Sequence, residues 1–594
     1  MTATAKENVF ETDVLVIGGG LSGLFAAIKA QEEGANVTIV EKGYAGKAGA
    51  AIFSSMASIF NPEWGHDLKV WMDNIAKAGD YMNNPEWTEI TLKESYGIYK
   101  DIESWGLKIP KEKDGMPVSV NWGFIHLQGF DWRSALLILR RQAIKSGADI
   151  MDRIMVTGLL KQDGKVVGAV GFHTRNGEFY VFKAKATIIC TGSGLLGIND
   201  DFVSSLSTYE GEAIAYQAGA EISGKEFGLS GTGPYSYTDM GYGGFYDRSQ
   251  GDVRVSLEGK EIKPAPRGFH VSMLVDKHVD SEGYKVNRLT LAAAVHSGRA
   301  PFYWNLDDAT QLELDMVSKI WSKERIEAVR RSVDMSKGGL YRAPVRFECY
   351  VGWPLHSASG ISSADTRGGT SLPGLFAAGD VYNSKAIGAR YPMVGFGTRN
   401  AAVTGCRAGR GAAEYAKKSG KISVDPAEVD RLKKSTYAPM ERKGGFDHDW
   451  VELQLKTIVY PYYVLFIKHG DRLKAALTMV EFVKNHLSPQ MYADPRDAHG
   501  LRLAHEAKGS VTSIEMMLRS SIFRTESRGV HYREDYPFRD DPNWLAEVKI
   551  RQKDGQMDLV RELLPKKWWP DLSIPYRERY PSEYLGEIIQ DGGK

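Results

Sequence analysis

The chain contains little cysteine. Its three cysteines, Cys190, Cys349 and Cys406, are far apart in 594 residues, and no C-x-x-C pair occurs. They cannot form a disulfide framework or bind an iron–sulfur cluster between them. The composition therefore excludes a disulfide-stapled protein and favours a reducing compartment.

The chain also lacks an excess of charge and lacks long apolar runs. Its 75 basic residues balance 74 acidic ones, which gives no argument for nucleic acid or an acidic membrane surface as partner. No segment approaches the ~18 uninterrupted apolar residues of a membrane span, and residues 1–8 have no signal-peptide core. We expect a cytoplasmic protein without a membrane span, or one held peripherally at a membrane through a partner.

A glycine-rich motif stands near the N-terminus. The apolar run 14–18 predicts a buried strand, and Gly18, Gly20 and Gly23 follow the G-x-G-x-x-G spacing of a dinucleotide-binding turn. The helix that opens with Leu21 and Ser22 would present its N-terminus to a pyrophosphate. Glu41 ends the second strand and is expected to accept hydrogen bonds from both ribose hydroxyls, so the motif indicates FAD or NAD and not NADP.

Small residues follow this acid. After Lys42, the stretch 43–51 is rich in Gly and Ala, which suits a loop along a flavin; a flexible surface loop is the alternative. Helical periodicity is expected from Trp71 to about Trp105 and again over 132–143. Asp163-Gly164 and Asn176-Gly177 predict hairpins.

Four further segments resemble one family, the flavoprotein subunits of the succinate dehydrogenase and fumarate reductase superfamily. Relatives in this superfamily include L-aspartate oxidase and the α subunit of adenylylsulfate reductase. The segments are the helix 209–220, the strand and turn 374–380, the turn 388–397, and the C-terminal signature 527–541. Their order along the chain, from about residue 10 to 545, identifies a divergent member.

The resemblance implies an α/β fold with a Rossmann-like FAD-binding domain in two pieces, an inserted α+β capping domain and a C-terminal helical domain. For this chain we expect FAD-binding parts at 10–220 and 345–420, a cap at 221–344, a helical domain at 425–545 and an extension at 546–594. In family members the cap closes over the flavin and excludes water.

The resemblance also implies which residues bind FAD. Asp380 would contact FAD hydroxyls, with helix capping as the alternative role, and the helix that begins at 395–398 would stabilise negative charge on the reduced flavin. The predicted FAD-binding residues are Gly18, Gly20, Leu21, Ser22, Gly23, Glu41, Lys42, Gly49, Thr191, Gly192, Asp380, Gly395, Phe396, Gly397 and Thr398.

Three residues are candidates for catalysis. Arg390 stands where the family has an arginine that binds a substrate carboxylate, and His356 stands near a second substrate ligand. Arg267 is a weak counterpart of the family's proton-shuttling arginine, with Arg248 as the alternative. The family pattern implies hydride transfer between a substrate carbon and the flavin, across a C–C bond activated by a carboxylate or carbonyl.

The departures from the family pattern carry information too. Ala48 and its neighbours provide no histidine for covalent attachment, so the FAD is expected to be non-covalent and better suited to a reductase. The cap lacks the family's H-P-T-G run, and aromatic residues crowd this region, which favours a larger or ring-bearing substrate over succinate; cap packing is the alternative. These aromatics are Tyr235, Tyr237, Tyr242, Phe245 and Tyr246.

Other functions stay open at this point. One is a flavin subunit that acts with an iron–sulfur electron-transfer partner on a substrate without a C=C bond, as adenylylsulfate reductase does. Another is an FAD oxidase. A third, without catalysis, is a flavin fold retained as a binding module. No metal site is predicted.

Overall fold

The computed structural model describes residues 8–54, 56–122, 125–196, 207–234, 244–247, 254–255, 261–262, 302–305, 344–354, 358–390 and 395–580. The predicted residues Arg267 and His356 lie outside this set. So do Arg248 and the cap tyrosines 235, 237 and 242.

Helices in the described part are, in chain order, α1 (Leu21–Glu32), α2 (Leu68–Ala78), α3 (Pro85–Lys93), α4 (Ser95–Ser104), α5 (Trp132–Lys145), α6 (Glu210–Ala218), α7 (Phe396–Lys418), α8 (Pro426–Glu441), α9 (His448–Val459), α10 (Tyr462–Leu465), α11 (Gly470–Phe482), α12 (Ala498–Phe523) and α13 (Tyr576–Arg579). None of these helices combines the length and the apolar composition needed to cross a membrane.

The strands are β1 (Asn8–Ile17), β2 (Val37–Glu41), β3 (Met56–Ser58), β4 (Ser119–Trp122), β5 (Ile125–Gly129), β6 (Asp149–Asp152), β7 (Ile154–Gln162), β8 (Lys165–His173), β9 (Phe179–Ile189), β10 (Leu195–Leu196), β11 (Ile222–Ser223), β12 (Gly228–Pro234), β13 (Gly244–Asp247), β14 (Arg254–Val255), β15 (Glu261–Ile262), β16 (Phe302–Asn305), β17 (Pro344–Pro354), β18 (Gly360–Ser362), β19 (Leu375–Ala377), β20 (Tyr382–Asn383), β21 (Ile467–Lys468), β22 (Tyr532–Arg533), β23 (Ala546–Lys553) and β24 (Gln556–Leu563).

One sheet carries the N-terminal motif. Its order is β6-β2-β1-β9, and these four strands are parallel. On the other side of β9, the antiparallel pair β8 and β7 borders its first half, while β19 runs parallel to its last three residues. The chain therefore returns to this sheet, after nearly 190 residues, to complete it. The β7–β8 hairpin turns at Asp163 and Gly164, both with positive φ, as predicted.

The carboxyl ends of β1, β2, β9 and β19 lie at one edge of this sheet, because the four strands are parallel. Helix α1 leaves from this edge and packs closely against α7. A Cβ on Gly405 would lie 2.4 Å from the carbonyl oxygen of Ser22, and one on Gly409 would lie 2.2 Å from that of Ala26. Only glycine permits this helix contact.

The segment predicted as helical from Trp71 to Trp105 forms three helices, α2 to α4. It breaks where Asp80 and Tyr81 both adopt positive φ, and α3 restarts with Pro85 in its first turn. Proline suits this position because its missing N–H has no partner within the helix.

A second sheet has the order β10-β17-β16-β13-β14-β15, with β12 paired to β17. Farther along the chain, α9, α11 and α12 surround a buried apolar cluster that includes Leu455, Leu473 and Ile514. The first residues of the predicted C-terminal extension belong to a sheet. They form the hairpin β23–β24, joined to β11, because Ala546, Val548 and Ile550 alternate into the core.

Candidate cofactor and substrate site

A cavity opens at the carboxyl edge of the first sheet, and its empty space, which includes the open mouth, is about 890 Å³. Ten of the predicted FAD-binding residues line it: Gly18, Gly20, Leu21, Ser22, Glu41, Lys42, Gly49, Thr191, Gly192 and Asp380.

The glycines shape this edge. Gly18 has a φ of +106°, and a Cβ there would lie 2.5 Å from the carbonyl oxygen of Cys190. A Cβ on Gly23 would lie 1.9 Å from the carbonyl oxygen of Gly18, so this residue lets helix and strand meet. A Cβ on Gly20 would meet no described atom closer than 4.0 Å. Gly20 therefore keeps space clear in front of the N-terminus of α1, where backbone amides favour an anion.

Glu41 lines the cavity and also fixes the backbone of the glycine-rich turn and of the residues after β2. Its two carboxylate oxygens accept 2.8 Å hydrogen bonds from the backbone N–H groups of Gly19 and Gly43. Burial raises the pKa of the Glu41 carboxyl, although these two hydrogen bonds oppose the rise. A carboxylate has about four lone-pair sites, so the ribose contacts predicted from the sequence are compatible with these bonds.

Lys42 is held by a buried ionic cluster. Its Nζ donates to Glu210 at 2.6 Å and to Glu506 at 2.8 Å, and it also contacts the hydroxyl of Thr208. Burial opposes the charge of Lys42, but the two carboxylates outweigh it and raise its pKa. The cluster joins the end of β2 to α6 and α12. Lys42 and Glu210 therefore hold these elements together, and both residues also line the cavity.

The opposite wall comes from the ends of β9 and β19. The Thr191 hydroxyl is buried in this wall and finds no hydrogen-bond partner among the described residues. Asp380 stands in the short turn Gly379–Val381, which is fixed by a 3.0 Å hydrogen bond from the Gly379 N–H to the Thr404 hydroxyl. An orphaned hydroxyl and the N-terminus of a helix, which line the same cavity, fit FAD.

Small residues complete the cavity. Ala48 is buried and lines it together with Gly49, Ala50 and Ala51. A Cβ added at Gly49 would meet nothing within 4 Å, but the φ of +87° disfavours any other residue. These four residues provide no side chain that attaches a flavin covalently.

The predicted residues at the start of α7, 395–398, do not line the cavity themselves. Gly395 has a φ of +72° and approaches the backbone of Ala57 and Ser58, where a Cβ would lie 2.6 Å from the Ser58 nitrogen. Phe396 is fully buried, and the Thr398 hydroxyl donates to the carbonyl of Gly395 at 3.2 Å. Helix α7 reaches the cavity lining through Ala401.

Arg390 is buried where three segments of the chain meet, with 5% of its surface exposed. Its Nη2 donates to the carbonyl of Gly529 at 3.3 Å. The preceding residue, Ala389, donates to Gly79 and accepts from Val530, each at 2.9 Å. The backbone that carries Arg390 is therefore held on both sides.

Asp80 lies behind this arginine. It accepts from the Gly529 N–H at 2.8 Å and from the Arg539 Nε at 2.9 Å. Burial opposes its ionisation, but Arg539 and Arg390 outweigh burial and lower the pKa of Asp80 to about 2. Asp80 is thus an anion that holds the N–H of Gly529 in place, and the carbonyl of the same residue accepts from Arg390.

Sequence reasoning missed several residues of this region. Glu210 belongs to a segment that pointed to the family, but its role as partner of Lys42 had no signal in the sequence. Met155 and Val156 of β7 line the cavity, and only an apolar strand marked them. Asp80 had no signal, because it lies inside the segment 71–105 that was predicted as helical.

Comparison with known proteins agrees with this site. Residues 13–249 match the family described as FAD binding domain, and residues 454–578 match the family described as fumarate reductase flavoprotein C-term.

Two curated relatives cover nearly the whole chain. An uncharacterized FAD-dependent oxidoreductase of Methanocaldococcus jannaschii is 25% identical, over 91% of this chain and 97% of its own. One of the subunits of the fumarate reductase (CoM/CoB) of Methanothermobacter marburgensis is 24% identical, over 92% and 98%.

Among solved structures, the FrdA chain of the E. coli quinol fumarate reductase superposes with a TM-score of 0.79 at 18% identity, over 94% of this chain and 97% of that one. The predicted fold class and the FAD cofactor are confirmed. The chain is a divergent member of the succinate dehydrogenase and fumarate reductase flavoprotein superfamily, and it is an FAD-dependent oxidoreductase.

Proposed function

We propose that this oxidoreductase transfers two electrons, as a hydride, across a C–C bond activated by a carboxylate or carbonyl. The observation that carries the proposal is the fixed position of Arg390. It is a buried guanidinium, braced through Gly529 and Asp80, and α7 begins six residues after it.

The role of Arg390 follows from its chemistry. A guanidinium is planar and matches the two oxygens of a carboxylate, and it stays charged when buried. Held in place, Arg390 would bind the activating group of the substrate and stabilise the negative charge that develops on it. The brace lowers the entropy lost on binding, because the side chain is already ordered.

The cavity residues would hold FAD. The N-terminus of α1 would bind the pyrophosphate, Glu41 the ribose, and Thr191 and Asp380 further polar groups, while Ala48 leaves the cofactor non-covalent. When bound, FAD supplies the hydride chemistry. His356 remains the candidate for a second substrate contact, and Arg267 for the exchange of a proton with the substrate.

Two features favour a substrate other than succinate. The cap sequence departs from the family's H-P-T-G run, and it contains many aromatic residues. We infer a larger or ring-bearing enoate or enone as substrate.

The chain needs an external source of electrons. Its three cysteines are too few for an iron–sulfur cluster, and Cys190 and Cys406 are both buried. We infer that an iron–sulfur partner protein is the donor, and one of the relatives is itself named as part of a larger reductase. Co-elution of a cysteine-rich protein would support this; rapid reoxidation by air with release of peroxide would favour an oxidase instead.

The decisive experiment is anaerobic reduction of the purified protein, followed by a screen of enoates and enones for reoxidation of the flavin. Once a substrate is found, Arg390→Ala should abolish turnover while FAD stays bound. Arg496→Ala, at a side chain that is 90% exposed, is the matched control. Undiminished turnover in Arg390→Ala would remove the assignment.

A further inference from the structure

A second cleft lies behind the cofactor cavity. Its empty space, which includes the open mouth, is about 810 Å³, and it is bordered by β7, α6, α8 and α12. Four residues line both spaces: Met155, Val156, Glu210 and Ile214. The cleft is therefore separated from the FAD cavity by a wall one side chain thick, and none of the predicted FAD-binding residues lines it.

Three cations from three elements face this cleft: Lys161, Arg431 and Lys508. Lys161 Nζ donates to the carbonyl of Ala218, at the end of α6, at 2.8 Å. Arg431 pairs with Glu428 through bonds of 2.7 and 2.8 Å. Since the Arg431 side chain is 64% exposed, this pair contributes little stability and can rearrange around a ligand.

Lys508 differs from the other two. Within the described part of the chain, no carboxylate pairs with it. Its side chain reaches solvent, yet the surrounding protein lowers its pKa by burial, and the positive charge of Arg442 lowers it further. Arg442 is thus a second positive charge near Lys508, and an anion bound beside Lys508 would be attracted by both.

The remainder of the cleft is partly apolar. Leu159 and Ala213 are buried in its lining, and Leu432 of α8 contributes to it. A Cβ on Gly158 would lie 2.8 Å from a methyl group of Leu432, so a glycine here lets β7 and α8 approach closely. An apolar lining with a few cations is typical of sites for small organic anions.

We propose that this cleft is a second ligand site, for a small organic anion with an apolar group and a phosphate or carboxylate head. Lys508 is its main anion contact, Arg431 and Lys161 assist, and Glu428 competes with the ligand for Arg431. The site shares a wall with the cofactor cavity and is distinct from the one that contains Arg390.

Isothermal titration of the FAD-loaded protein with phenyl phosphate tests the proposal, with benzoate and inorganic phosphate as parallel probes. Phenyl phosphate should bind saturably and more tightly than inorganic phosphate, because only the former has an apolar group. The benzoate titration separates a carboxylate-binding site from a phosphate-binding one. Lys508→Gln should weaken binding about tenfold, as expected for loss of one charged hydrogen bond.

A second variant shifts the affinity in the opposite direction. Glu428→Gln should tighten binding several-fold, because it removes a carboxylate and releases Arg431. Lys434→Gln is the control for Lys508→Gln. It makes the same change of charge on α8, at a residue that does not line the cleft, and should leave the affinity unchanged. Arg390→Ala should also leave it unchanged, which separates this site from the substrate site. The absence of saturable binding, or equal affinities in Lys508→Gln and Lys434→Gln, would overturn the proposal.

Discussion

The Nζ of Lys42 lies 2.8 Å from Glu506 Oε1, which joins the end of β2 to helix α12, 464 residues farther along the chain. The same Nζ pairs with Glu210 of α6, and all three side chains are buried. This contact makes the cofactor cavity and the helical segment dependent on each other.

Lys42→Met should therefore destabilise the protein strongly. The variant leaves the buried Glu210 carboxylate without its cation and Glu506 with Arg502 alone, and breaking a buried ion pair typically costs about 3–5 kcal/mol. We expect a lower melting temperature and weaker FAD retention, measured by thermal unfolding and by flavin absorbance after desalting. Lys42→Met/Glu210→Gln should recover part of the loss, because it removes the carboxylate that the first substitution leaves without a cation. A single variant as stable as the wild type would show that the cluster contributes nothing.

Replacing Gly20 or Gly23 of the motif by alanine should impair different properties, FAD binding in one case and stability in the other. Gly20→Ala should fold with a nearly unchanged melting temperature but lose FAD, because its Cβ enters the space before α1 without touching described protein atoms. Gly23→Ala should lose stability itself, because its Cβ would lie 1.9 Å from the Gly18 carbonyl oxygen. Melting of the apoproteins and titration with FAD distinguish the two effects. Equal loss of stability in both variants would contradict this separation.

Lys468 should make stability depend on pH. Its Nζ is buried between the Glu226 carbonyl at 2.8 Å and His531 Nδ1 at 2.9 Å, and burial lowers its pKa from 10.5 to about 7. Between these two values the unfolded chain binds a proton that the folded chain does not. The free energy of unfolding therefore rises with pH in this window, by at most about 1.4 kcal/mol per unit.

Lys468→Met removes this contribution. The stability of the wild type relative to the variant should increase from pH 7 to pH 9, as measured by urea unfolding at each pH. Lys474→Met, at a side chain 68% exposed, serves as the control and should show a constant difference. A constant difference for Lys468→Met as well would show that the lysine is charged in the folded protein.

The flavin should be released on denaturation. Ala48 and the small residues beside it line the cavity, and none of them bonds covalently to a flavin. Acid precipitation of the FAD-loaded protein should leave the yellow colour in the supernatant. Colour that stays with the pellet would reveal a covalent link elsewhere in the chain.

The parts of the site that are local in sequence could be predicted from it. Gly18, Gly20 and Gly23 stand within six residues of one another, so their spacing carried the geometry of the turn. The turn that contains Asp380, just after β19, was also predictable, because a buried strand followed by a glycine leaves few alternatives.

Contacts between distant residues could not be predicted in this way. Lys42 was predicted to bind FAD, but nothing in the sequence pairs it with Glu506, which looks like an ordinary surface charge until the fold brings the two together. Likewise, the strand β23 is hidden in a charged stretch, where only Ala546, Val548 and Ile550 show the alternation of a half-buried strand. Asp80 acquires its role from Gly529 and Arg539, which arrive some 450 residues later.

The glycine contacts between α1 and α7 join a helix that is synthesised early to one that is synthesised late. Helix α1 is among the first segments to leave the ribosome, whereas Gly405 and Gly409, which cover it, emerge almost 400 residues afterwards. Strand β19 is equally late, and until it arrives the last residues of β9 have an open edge. The nascent chain therefore exposes the apolar face of its nucleotide-binding half throughout synthesis of the inserted segment. Slow translation before residue 418 should make this protein prone to aggregation and dependent on chaperones.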